Sequence, residues 1–179
     1  STLKSMSVFE YGTITEGSIN DGDAGTLASE TSSSEAVMVR SISYKMTDTD
    51  DVNTTIEYSE VGNKTSETYF DVHLGKGDEI ADRSFNFAGD GSTLKTKSVF
   101  EYGTITEDSI DDGADNDTTT VTYAADTDSS EYCMVRSTSY KMTDSDADDT
   151  IEYSEVGNKT SETYFDVHLG KGDEIADRS

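Results

Sequence analysis

The sequence contains no proline, no tryptophan and a single cysteine, Cys133. Proline lacks a backbone N–H and is barred from central strands, so its absence leaves every residue able to join a ladder. It also removes one of the common guards against edge-to-edge pairing of sheets. Without tryptophan there is no large indole to anchor a core or a sugar-binding platform. One cysteine excludes an internal disulfide framework. No apolar run approaches the length needed to span a bilayer. Basic residues are scarce: Lys and Arg number 13 against 38 Asp and Glu, a formal charge of −25. That field disfavours nucleic acid and anionic membranes as partners. It favours cations, either calcium or magnesium on carboxylates or screening salt. Hydrophobic residues make up only 32%, against roughly 45–50% apolar content in ordinary globular domains. A thick core is therefore not expected in each half alone; the halves share one, or neighbouring chains bury what one chain cannot.

What the sequence does contain is repetition, and repetition sets how the rest is read. The stretch IEYSEVGNKTSETYFDVHLGKGDEIADRS, Ile56–Ser84, returns letter for letter as Ile151–Ser179. SVFEYGTITE at Ser7–Glu16 recurs at Ser98–Glu107, MVRSISYKMTD at Met38–Asp48 recurs with one change at Met134–Asp144, and STLK at Ser1–Lys4 recurs at Ser92–Lys95. The expected organisation is two homologous lobes, Ser1–Ser84 and Ser92–Ser179, joined by a connecting strand and turn at Phe85–Gly91.

Low hydrophobicity with high charge is also the composition of disordered chains, but the aromatic and β-branched residues here fall in regular alternation, which disorder does not require. Period-two alternation predicts strands at Ser7–Glu16, Ala36–Met46, Thr55–Val61, Ser66–Leu74 and Ala81–Ala88, with turns at Gly62–Lys64, Gly75–Asp78 and Gly89–Gly91. In Ser66–Leu74 the pattern assigns Thr68, Phe70, Val72 and Leu74 to an apolar face, with Glu67, Tyr69, Asp71 and His73 facing away. Length differences between the copies are confined to loops, as expected of a duplicated β-scaffold. The fold expected is all-β: two tandem antiparallel β-meander lobes, with stacked sheets or a sandwich as possible packings.

Several constellations carry candidate chemistry. Acidic loops recur at the same repeat position, DTDD at Asp48–Asp51 and DSDADD at Asp144–Asp149. Asp144, Asp146 and Asp148 have the alternate spacing of an oxygen-ligand calcium loop, and Glu155 falls at the twelfth position. Asp149 stands where an EF-hand needs glycine, and Val52 and Ser59 stand at ligand positions in the first copy, so an EF-hand is excluded. Asp48, Asp50, Asp144, Asp146 and Asp148 remain candidates for a looser calcium site beside the simpler reading of solvated acidic turns. No motif requires a cofactor; Ca2+ is the one ion the pattern suits. His73 and His168 each follow an aspartate by two residues, Asp71 and Asp166, but no nucleophile is tied to them by spacing, and no enzyme is expected. Cys133 replaces Val37 of the first copy and reads either as a small buried hydrophobe or as an intermolecular disulfide in an exported chain. Four N-x-[ST] sequons, at Asn53, Asn63, Asn116 and Asn158, and a start at Ser1 in place of Met fit an exported protein. Tyrosines recur as Tyr11/Tyr102, Tyr44/Tyr140, Tyr58/Tyr153 and Tyr69/Tyr164; aromatic and Thr–Thr cross-strand pairs stabilise sheets by about 0.2–1 kcal/mol each.

In its acidic, Thr- and Tyr-rich composition and in strands such as SVFEYGTITE and TYFDVHLG, the chain resembles the sheath and surface-layer proteins of methanogenic archaea. It is also similar in style to the calcium-dependent repeats of giant bacterial adhesins. The first resemblance implies a self-assembling extracellular, cell-surface structural subunit whose partner is itself. The second implies a calcium-stiffened binding module acting as a monomer. Proline-free meanders with open edges favour the first, because adhesin modules normally carry proline at domain joins.

Overall fold

The computed structural model describes residues 4–12, 26–47, 60–103, 121–146, 148, 150–167 and 170–179. The chain is all-β, with strands β1 (Ser5–Gly12), β2 (Thr26–Leu27), β3 (Val37–Met46), β4 (Val61–Asp71), β5 (Ile80–Phe87), β6 (Leu94–Gly103), β7 (Thr122–Tyr123), β8 (Cys133–Met142), β9 (Val156–Asp166) and β10 (Ile175–Arg178). They form one open ten-stranded sheet in the order β10-β9-β8-β6-β5-β4-β3-β1-β2, with β7 also on β6. Every pairing is antiparallel. The long strands follow one another as a meander, and the sequence copies lie side by side in a single sheet. Phe85–Phe87, expected in the connector, complete β5, and the chain then turns into β6 with Ala88 donating to the Thr93 carbonyl at 2.8 Å.

The copies repeat in register as well as in sequence. β1 meets β3 with a bulge between Glu10 and Tyr11, and β6 meets β8 with one between Glu101 and Tyr102. One row of small hydroxyl residues crosses the sheet through paired Ser41, Thr68, Ser84, Ser98, Ser139 and Ser161. Within it the Thr68 hydroxyl donates to Ser84 at 3.1 Å, and Ser98 and Ser139 meet at 2.9 Å. Such pairs tie strands together where little apolar surface exists.

Two expectations need correction. Gly62–Lys64 is no turn but the start of β4, opposite a register shift in β3. Gly62 serves close backbone approach: a Cβ there would stand 2.8 Å from the Lys45 carbonyl oxygen, and Gly157 meets the same obstacle at Lys141. The faces of β4 are also reversed from the pattern. Glu67, Tyr69 and Asp71 are buried, whereas Thr68 and Phe70 are only partly covered. Tyrosine and paired carboxylates can be buried when their polar ends find partners, a condition alternation alone does not reveal. The turn at Gly75–Asp78 stands as expected, with Gly75 and Gly77 at positive φ. Among the described residues no helix is long and apolar enough to cross a membrane.

Candidate functional site

The largest buried side chains gather at the seam where the first copy meets the second. On one face, Tyr69 from the first copy and Phe85 from the start of the connector pack with Leu94 and Met142 from the second copy. Ile151 and Tyr153, from the loop between β8 and β9, close over them. Tyr69, Phe85 and Tyr153 stack edge to face in all three combinations, with centroids 4.8–6.5 Å apart, a geometry worth about 0.5–1.5 kcal/mol per pair beyond burial. Toward one end of the strands, Ile80 packs with Tyr102 and with Ala124 of the short 3-10 turn Ala124–Asp126.

Polar groups at the seam are paired, several of them across the copies. The Tyr153 hydroxyl donates to Glu67 Oε2 at 2.6 Å, Lys64 donates to Glu67 Oε1 at 2.7 Å, and the Tyr69 hydroxyl reaches Glu67 Oε2 at 3.3 Å. Burial alone would push the Glu67 carboxyl up; the bonds from Lys64 and Tyr153 outweigh it and hold the group below the usual carboxylate range. Burial, and then the bond to Glu67, raises the Tyr153 phenol well above its ordinary value. Arg40 bridges Glu10 at 2.6 Å and the Tyr69 hydroxyl at 3.4 Å. Near the 3-10 turn, Tyr102 donates to the Ala81 carbonyl, Ser130 donates to Asp78, and His73 Nε2 meets the Thr127 carbonyl, each at 2.6 Å. His73 Nδ1 also bonds Asp71, and that bond chiefly raises the imidazole pKa.

A shallow groove of about 320 Å³ lies over β6, β8 and β9, lined among others by Lys97, Glu101, Arg136, Tyr140, Lys159 and Glu162. Its charges are satisfied locally: Arg136 pairs with Glu101 at 2.5 Å and with Glu162 at 3.4 Å, and Lys159 pairs with Glu162 at 2.9 Å.

Of the predicted cation ligands, Asp144, Asp146 and Asp148 come together, each presenting an oxygen within 4.8 Å of the others. That set supplies three of the roughly six to eight oxygens calcium takes. Glu155 does not complete it. Its carboxylate accepts from the Ser145 amide at 2.5 Å, the Ser145 hydroxyl at 2.6 Å and the Glu152 amide at 2.9 Å. The Ser145 hydroxyl above all, with those amides, lowers the Glu155 pKa to about 2, so this carboxylate closes the acidic loop. Asp48, Asp50 and His168 lie outside the described residues. Cys133 is buried beside Val135 and Val167, and burial raises its thiol pKa. Its partner residue is Gly103, as Val37 pairs with Gly12 in the first copy; it fills a small apolar position.

Sequence reasoning missed the Tyr153–Glu67 link. Both residues stood in view as repeat members, but nothing in a tandem repeat says which copy a loop closes over. No family model, curated protein or solved structure matches the chain.

Proposed function

We propose that this chain is a structural subunit that self-assembles through its β-sheet edges into an extracellular sheath, layer or filament. The observation that carries this is the state of the outer strands. Among the described residues, β10 pairs only with β9, and β1 has β2 on its outer side only at Glu10 and Tyr11. Open strands without proline are templates for further pairing. A formal charge of −25 makes assembly dependent on screening or bridging cations. Electron microscopy of the purified protein, with calcium and with chelator, tests it. Ordered hoops, tubes or fibres are expected, and loss of them in chelator would assign the cation a bridging role. Dispersed monomers in both conditions would remove the proposal. If those monomers also melted higher with calcium, the Asp144–Asp146–Asp148 cluster would favour the second reading, a calcium-stiffened adhesin-type binding module.

A further inference from the structure

We infer, resting on the self-assembly reading above, that copies join head to tail: β10 of one chain docks beside β1 of a second chain in the register that β5 holds against β6. Each joint between molecules then repeats the part of the seam built by Ile80, Tyr102 and Ala124.

Counterparts of both halves of that seam stand on the outer strands, β10 at one edge and β1 at the other. β5 lies on β6 with Arg83 opposite Val99 and Ser84 opposite Ser98. β10 repeats the β5 sequence and its register on the preceding strand, Ile175 opposite Asp166 as Ile80 is opposite Asp71, with the same irregularity before the arginine. β1 likewise repeats β6, both in SVFEYG and in its pairing with the following strand. The expected joint sets Arg178 opposite Val8 and Ser179 opposite Ser7 of the second copy.

Surfaces covered at the internal seam are uncovered at the ends. Ile80 is 6% exposed, whereas its twin Ile175 is 52% exposed. Ala124 is fully buried, whereas Ala28, at its place in the first copy, is exposed. Phe100 packs against the seam, whereas Phe9 is 47% exposed. Exposed Ile175 on one end and exposed Ala28 and Phe9 on the other are the counterparts of groups that already pack together.

The polar complement is present too. Tyr102 donates to the Ala81 carbonyl and Ser130 to Asp78 inside the chain; their counterparts in a second copy, Tyr11 and Ser34, would meet Ala176 and Asp173, with Ser34 exchanging its present bond to Glu35. The joint would build a hydroxyl row of its own, Thr163–Ser179–Ser7–Ser43 in place of Thr68–Ser84–Ser98–Ser139, since Ser179 already bonds Thr163 at 3.0 Å and Ser7 lies 3.4 Å from Ser43. The contact is heterologous, with different patches on the two partners, so it propagates into an open filament unless the rotation closes a ring. The occupant is a second copy because its sequence is the one already fitted at this surface.

Directed cross-linking tests this. In a Cys133→Val background, Ser7→Cys and Ser179→Cys are combined, and non-reducing electrophoresis after mild oxidation follows the products. A ladder of dimers, trimers and larger species is expected. The register control pairs Ser179→Cys with Ser5→Cys, displaced along β1 by two residues, about 7 Å, beyond the reach of a disulfide; it should give about tenfold less product. Mixing the two single-cysteine proteins should give a dimer that neither forms alone, which guards against misfolding of the double variant. Particles by microscopy with no preference for the 7–179 pair would overturn this register and leave edge assembly standing. No particles and no ladder at any concentration would overturn both.

Discussion

β4 with β5 and β9 with β10 begin from the same letters, yet they occupy different environments. Local features are reproduced in both. Lys64 pairs with Glu67 at 2.7 Å and Lys159 with Glu162 at 2.9 Å. Glu79 accepts from the Gly77 and Met38 amides, as Glu174 does from Gly172 and Met134. Long-range features are not reproduced. The Glu67 side chain is 3% exposed and Glu162 24%; each tyrosine has its own arginine over the ring, Arg83 over Tyr69 and Arg178 over Tyr164, but Tyr69 is also enclosed by Phe85 and Tyr153. A strand's stability therefore comes here from what lies beside and above it, because propensity is identical in the two settings. The interior strands show what a neighbouring copy adds within the chain, which the outer strands lack among the described residues.

The same substitution made in each copy separates these contributions, and the largest difference belongs to the aromatic centre. Tyr69→Ala removes a buried ring and should cost about 3–5 kcal/mol; Tyr164→Ala should cost about 1 kcal/mol. Urea unfolding of both variants at low concentration reads the gap, and equal losses would mean that the seam adds nothing to β4. Ile80→Ala and Ile175→Ala come next, at about 2–4 kcal/mol and about 0.5 kcal/mol. At high concentration the Ile175→Ala loss should grow if copies join through that residue, which sharpens the comparison into a test of assembly.

The comparison also explains how much could be read in advance. The all-β class, the meander and the Gly75 turn follow from alternation, β-branched content and glycine placement, all local signals. The identity of Ile56–Ser84 and Ile151–Ser179 was visible, but their unequal burial was not, because it depends on neighbours rather than letters. Gly62 read as a turn because glycine permits one, while its use, letting β4 approach Lys45 and Thr47, is a tertiary fact. The polar side of β4 read as solvent-facing because Glu67 counts as charged until Lys64 and Tyr153 are known to meet it. Asp144, Asp146 and Asp148 lie near one another and Asp48 and Asp50 lie outside the described residues, whereas Glu155 matched in position and is taken up by Ser145 and backbone amides.

The smallest effect expected is at His73, where the seam should respond to pH. The Asp71 bond raises the folded-state pKa above the ordinary value, so the protonated ring stabilises the folded chain. That contribution is fully present below about pH 6.5 and is lost as pH rises through the higher folded value. The His73 side chain is 37% exposed, so solvent screening limits the effect to well under about 1 kcal/mol. Urea midpoints of the parent chain should fall slightly from pH 6 to 8.5, while His73→Gln should flatten that slope. An unchanged slope in the variant would place the titration elsewhere and reduce the Thr127 contact to packing. A flattened slope would tie a pH response to the seam itself, since the ring's second nitrogen meets a carbonyl of the other copy at 2.6 Å.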